Sequence, residues 1–139
     1  MGGPAQPFHV LFVCVENACR SQIAEAFARR YGQDRLAAYS AGSRPRGQID
    51  AQAVAVMKER GLDLSRQASK GLSDVPQVTW DAIVTMGCGD VCPTLPAKQR
   101  LDWQIPDPAR QPLEVYRQVR DTIDASVKAL VTHLTASSD

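Results

Sequence analysis

The stretch that decides the fold is HVLFVCVENACRSQIAEAFARRYG, residues 9–32. It continues an apolar run begun at Phe8 and lasting to Val13, the pattern of a strand covered on both faces in a parallel sheet. From Arg20 the apolar spacing turns helical, with Ile23, Ala24, Phe27, Ala28 and Tyr31 on one face and Gly32 as the stop. Cys14 therefore stands at a strand-to-helix junction, with five residues between it and Arg20, and Ser21 directly after. A loop of that length before a helix N-terminus can turn successive backbone N–H groups inward as a nest for an anion, helped by the helix dipole. Arg20 adds a fork able to hold two oxygens of a tetrahedral oxyanion. The same field favours a thiolate at Cys14, to which Ser21 Oγ could donate a hydrogen bond. The competing reading makes Cys14 a small buried hydrophobe at a strand end. The strand, C-x5-R-S and helix context favours a nucleophile.

Working outward, LAAYSAG at residues 36–42 has the pattern of a second short strand that ends in a turn at Ala41 and Gly42. Residues 50–61 form a helix with Asp50 as its cap and Gly61 as its stop. Residues 62–77 form a loop with one helical turn. WDAIVTM at residues 80–86 is a third buried strand, followed by the Gly- and Pro-rich GCGDVCPTLP. LDWQI at residues 101–105 is a fourth strand, closed by PDP. A last helix from residue 113 to 134 carries Tyr116, Val119, Ile123, Val127, Leu130 and Leu134 as its apolar stripe. This order predicts an α/β fold, a three-layer open sheet of about four parallel strands with helices on both faces. Ligands of such sheets bind beyond the carboxyl ends of the strands. That rule gathers Cys14, the turn at 40–43, the Cys88 to Cys92 loop and Asp107 on one edge.

The chain has 139 residues, 44% hydrophobic and 22% charged, enough for one compact domain with a real core. Residues 8–139 are expected to form a single catalytic domain behind a flexible tail at 1–7. A formal charge of +1, with no long run of one sign, gives nucleic acid no footing but leaves room for a local small-anion site. MGGPAQPFHV has neither the basic region nor the apolar length of a signal peptide or membrane span, so a cytoplasmic setting is expected. Thiols there stay reduced. The four cysteines, Cys14, Cys19, Cys88 and Cys92, then read as metal ligands or as redox and catalytic groups before structural disulfides. C-x4-C with C-x3-C departs from the usual zinc spacings and would take Cys14 out of the anion loop, so no metal site is expected. His9 and His133 are lone and are assigned structural or solvated roles. Trp80 and Trp103 are assigned to the core. Arg44, Arg46 and Lys70 could flank the mouth of the site, although solvated surface charge is the first reading of each.

CVENACRS at residues 14–21 resembles the signature loop of the low-molecular-weight protein tyrosine phosphatases and of the arsenate reductases built on the same fold. SAGS at 40–43 and IPDPA at 105–109 match that family's other landmarks, and the resemblance spans essentially the whole chain after residue 7. It implies Cys14 as nucleophile, Arg20 as oxyanion binder, Ser21 as thiolate stabiliser and Asp107 as general acid. Val15, Glu16, Asn17, Ala18 and Cys19 would complete the oxyanion loop, with Asn17 holding its shape in a left-handed conformation that Asn tolerates. Many members carry Gly where this chain has Glu16, whose carboxylate must then point to solvent.

A phosphatase of this fold hydrolyses its cysteinyl intermediate with water, whereas a reductase needs a second thiol to attack the Cys14 sulfur. Cys19 does not decide between them, because phosphatases of the fold often carry it too. TMGCGDVCP resembles the mobile redox segment of the arsenate reductases, which implies that Cys88 attacks Cys14 and Cys92 then takes over the disulfide. Three residues separate Cys88 from Cys92, a tighter spacing than in the best-known thioredoxin-coupled members. Ala109 stands where tyrosine phosphatases of this fold usually place a tyrosine, so a small inorganic oxyanion is favoured over an aromatic ester. The expectation is an arsenate reductase of the thioredoxin-coupled type, acting in arsenic detoxification and resistance. Its alternative is phosphate monoester hydrolysis, and a non-catalytic oxyanion sensor is a third reading. The implied partners are arsenate, with phosphate or sulfate as mimics, and thioredoxin or a glutaredoxin or mycoredoxin thiol system. No tightly bound cofactor, nucleic acid or membrane contact is expected, and the chain is expected to be a monomer.

Overall fold

The computed structural model describes residues 6–87 and 95–136. Its sheet has four parallel strands, β1 (Phe8–Cys14), β2 (Leu36–Gly42), β3 (Ala82–Thr85) and β4 (Arg100–Asp102), in the order β2-β1-β3-β4. The chain goes from β1 to one neighbour, β2, and crosses back to the other, β3. The carboxyl end of β1 therefore lies at a switch point in strand order, where a crevice opens beyond the sheet. Cys14 is the last residue of that strand.

Alternation along β1 divides the interior. Val10, Phe12 and Cys14 face the larger core with α1 (Arg20–Gly32), α2 (Ala51–Lys58) and α3 (Leu113–Ala136), which contributes Tyr116, Val119, Ile123 and Val127. Leu11 and Val13 face a smaller cluster with Ala41, Val75, Trp80 and Ile83. A 3₁₀ turn at Leu72–Asp74 and the partly buried Val78 and Leu95 help cover that second face. Burial of β1 on both faces is what its unbroken apolar run requires.

Local differences from the sequence pattern have identifiable causes. Asp50 caps α2 as expected, its carboxylate accepting from Gln52 N at 2.9 Å, and Gly61 takes a φ of +76°. The helix itself stops at Lys58. Gly32 is the last helical residue, and Gln33 adopts the positive φ of 49° in its place. Gly32 is needed for space, since a Cβ there would lie 2.6 Å from Leu36 Cβ. The third strand is shorter than the apolar run, because Trp80 makes only an isolated bridge to Ala97. The fourth lies at Arg100–Asp102 and not at 101–105, since the chain turns where Ile105 N donates to Trp103 O at 3.0 Å. That turn hands the Ile105 carbonyl to Arg20. Trp103 is partly buried and tilts against Phe12, with ring centroids 5.9 Å apart.

Gly42 ends β2 directly behind the Cys14 loop. A Cβ there would meet backbone on three sides, at 2.5 Å from Val15 O and 2.9 Å from both Cys14 O and Asn17 N. None of those atoms can yield without moving the loop. Gly42→Ala should therefore lower unfolding stability by roughly 2–3 kcal/mol in urea titrations and weaken phosphate binding; unchanged values of both would contradict the packing described.

Candidate functional site

The loop between Cys14 and Arg20 is turned by bonds made on its outer side. Val15 O accepts from Arg44 N at 2.8 Å, Glu16 O from Arg46 N at 3.0 Å and Ala18 O from Asp50 N at 2.9 Å. Asn17 O accepts from Gln22 Nε2 at 2.9 Å. In a trans peptide the N–H points opposite to the carbonyl of the same plane. The amides of Glu16, Asn17, Ala18 and Cys19 thus turn toward the concave side, where an anion can collect them.

Asn17 is the hub of this arrangement. It is fully buried, with a left-handed φ of 50°. Its Oδ1 accepts from Lys70 N at 2.8 Å and from Gln22 Nε2 at 2.9 Å, while its Nδ2 donates to Ser21 Oγ at 2.7 Å. Ser21 Oγ accepts that bond and also lies 2.9 Å from the Cys14 sulfur, a hydrogen bond in which either atom can donate. Gln22 and Gln67 complete the brace: Gln67 Nε2 donates to Gln22 Oε1 at 2.6 Å, and Gln22 Nε2 also reaches Ala68 O at 2.8 Å.

Arg20 is held in plane by its Nη1, which donates to Met86 O at 2.6 Å and Ile105 O at 3.0 Å. Its other edge is left for an oxyanion, with Nη2 at 3.8 Å from Asp107 Oδ2. Gly87, at a φ of +74°, makes room for this, since a Cβ there would come within 2.9 Å of Arg20 Nη1. The Asp107 side chain is 54% exposed, and its Oδ1 accepts from Ala109 N at 3.0 Å. Cys14, Arg20 and Asp107 share one open cleft of about 1050 Å³ with Glu16, Asp50 and Tyr116.

The other expected residues fall into place unevenly. Val15, Ala18 and Cys19 line the cleft, and Glu16 is exposed as its charge requires. Arg46 is exposed at the cleft edge and Arg44 is exposed, whereas Lys70 is partly buried, its Nζ 3.6 Å from the buried Glu25. His133 is exposed and His9 packs edge-on to Trp80. Cys88 and Cys92 lie outside the described residues. Sequence reasoning missed Gln22, Gln67, Gly87 and the Asp50–Tyr116 pair. A glutamine on the buried face of an amphipathic helix was the one signal available for Gln22.

Burial pushes the Cys19 thiol well above its ordinary value, with further upward pushes from Asp50, Cys14 and Asp107 and an opposing pull from Arg20. Cys19 therefore stays a protonated thiol at neutral pH. Both cysteines are buried and both line the cleft, but they differ in surroundings: Cys14 Sγ lies 2.9 Å from Ser21 Oγ, whereas burial and nearby negative groups hold Cys19 as a thiol.

Comparison with known proteins agrees with this geometry. The family described as low molecular weight phosphotyrosine protein phosphatase matches residues 9–139. The chain is 36% identical over 128 residues to the glutaredoxin arsenate reductase of Synechocystis sp., covering 90% of this chain and 97% of that protein. It superposes on a structure described as an arsenate reductase in the phosphate binding state with a TM-score of 0.82 at 34% identity, covering 91% of this chain and 98% of that one. The thioredoxin-dependent arsenate reductase of Corynebacterium glutamicum matches with a TM-score of 0.77 at 34% identity, over 96% of this chain and 64% of that one.

The contrast between the two cysteines predicts their labelling. Iodoacetate at pH 7.5 should carboxymethylate Cys14 at least about tenfold faster than Cys19, with phosphate protecting Cys14, as followed by peptide mass spectrometry. Equal rates would contradict the difference in hydrogen bonding and local charge.

Proposed function

This chain belongs to the low-molecular-weight phosphotyrosine protein phosphatase family, and from that premise we propose how its site acts as an arsenate reductase. Arsenate binds in the loop 14–20, its oxygens on the inward amides and on the free edge of Arg20. The Cys14 thiolate attacks arsenic, forming a sulfur–arsenic bond as one arsenic–oxygen bond breaks. Asp107 gives its proton to the departing oxygen, which leaves as water. Cys88 then attacks the Cys14 sulfur, and the electron pair of the sulfur–arsenic bond goes to arsenic, which is released as arsenite. Cys92 displaces Cys14 from the resulting disulfide and leaves a Cys88–Cys92 bond for an external reductant.

The observation that carries this reading is the loop whose outer carbonyls are tied off around Cys14 while Ser21 Oγ sits within hydrogen-bond reach of the sulfur. Ala109 supports an inorganic substrate, because a methyl group at the cleft offers no ring on which an aryl ester could stack. Cys88 and Cys92 enter by their position in the chain after β3, whose carboxyl end faces the same edge as Cys14. Reducing equivalents come from thioredoxin or from a glutaredoxin or mycoredoxin system, as the names of the Synechocystis and Corynebacterium relatives suggest. No helix among the described residues is long and apolar enough to cross a membrane; the proposed setting is the cytoplasm, where such donors keep thiols reduced.

Substitutions separate the steps. Cys14→Ser should remove all chemistry. Cys88→Ser and Cys92→Ser should each lower sustained arsenite production by at least about a hundredfold and leave phosphate affinity unchanged. Multiple turnover by either relay variant at the rate of the unsubstituted protein would exclude the sequential relay.

A further inference from the structure

Asp107 must be held at a fixed distance from Cys14 to act as an acid, yet its own surroundings do little to hold it. The carboxylate is more than half exposed, it accepts a hydrogen bond from the amide of Ala109 two residues on, and the ion pair to Arg20 is long at 3.8 Å. The loop 107–110 also includes Arg110 at a φ of 65°, a conformation disfavoured for a residue with a side chain. Something must brace it.

The brace lies in the first turns of α3. Tyr116 is 1% exposed, and its hydroxyl donates to Asp50 Oδ2 at 2.5 Å. Asp50 caps α2 through Oδ1, and its main-chain N–H donates to Ala18 O of the anion loop. A continuous path of hydrogen bonds thus runs from the Cys14 loop through Asp50 to the helix that directly follows the Asp107 loop. Burial and then the bond to Asp50 raise the phenol far above its ordinary range, so Tyr116 remains a donor at all working pH; the Arg110 amide beside the same oxygen works in the opposite direction. Ala109, Arg110 and Tyr116 line the same cleft, and only Gln111 and Pro112 separate Arg110 from the start of α3. A phenylalanine would fill the same apolar space, so packing alone gives the hydroxyl no purpose.

We propose that Tyr116 is a positioning residue for the acid step: its hydroxyl, bonded to Asp50, holds the loop 107–110 in register with the Cys14 loop so that Asp107 reaches the departing oxygen. This rests on the reading of Asp107 as the general acid, and the two can be separated by a double-mutant cycle on the first turnover. Reduced protein is mixed with saturating arsenate without external reductant, and arsenite formation is followed. D107N should slow this step about a hundredfold. Y116F should slow it about tenfold, with half-saturating arsenate and the phosphate inhibition constant changed by less than about twofold. In the D107N background, Y116F should add less than about twofold, because the group it positions is already disabled.

A Y116F rate equal to that of the unsubstituted protein, with D107N impaired, overturns the positioning role and leaves the acid assignment standing. A further tenfold loss from Y116F in the D107N background also overturns it. An unimpaired D107N overturns the acid assignment and this proposal with it. Should Y116F not fold, D50N retains a helix cap and is read in the same cycle. It should slow the first turnover about threefold alone and add nothing to D107N; additive loss again contradicts the role.

Discussion

The structure of the site depends on the Asn17 side chain. A loop that bends its amides inward must dispose of its carbonyls outward, and a buried carbonyl without a donor is costly. Asn17 makes the bend by adopting a left-handed backbone and then uses all of its side-chain polarity to hold it, toward Lys70 and Gln22 on one side and Ser21 on the other. The same amide donates to Ser21 Oγ, which lies beside the Cys14 sulfur. The shape of the anion cradle and the hydroxyl placed at Cys14 are consequences of one side chain.

Around that hub the elements arrive with little freedom. β2 must end in glycine because its last residue touches the loop backbone, and β3 is followed by glycine because Arg20 passes there. Arg20 is rigid because two backbone carbonyls from different segments take one end of its guanidinium. Preorganised donors of this kind need no reorganisation as charge builds on the reacting oxygens. Asp107 is different: its carboxylate is more than half exposed and is held only loosely to Arg20, so its proposed role depends on positioning from further away.

Much of this was legible in the sequence because chemistry and backbone agree at residues 9–32. The apolar run, the cysteine at its end, the arginine six residues beyond and the helical spacing after it all require the same strand, loop and helix, and the structure has them in those places. The parallel sheet and the Asp50 cap followed from equally local signals. What escaped was set by tertiary contact. No periodicity announces that Gln22 and Gln67 will meet across 45 residues, or that Gly32 is kept for Leu36 and not for its dihedral freedom. The displaced fourth strand has the same cause, since its end is decided by the need to present Ile105 O to an arginine 85 residues earlier. Tyr116 was visible only as part of an apolar stripe, and its hydroxyl acquires meaning once α2 and α3 are packed together.

The most direct test of the central claim is arsenite production from arsenate by the reduced protein with thioredoxin, thioredoxin reductase and NADPH, measured beside hydrolysis of p-nitrophenyl phosphate. The parallel reaction uses glutathione with glutaredoxin or a mycothiol system. The account predicts catalytic arsenite release with at least one donor and only weak ester hydrolysis. Fast ester hydrolysis with no arsenite from any donor would contradict it and leave a phosphatase in which Cys88 and Cys92 have no part.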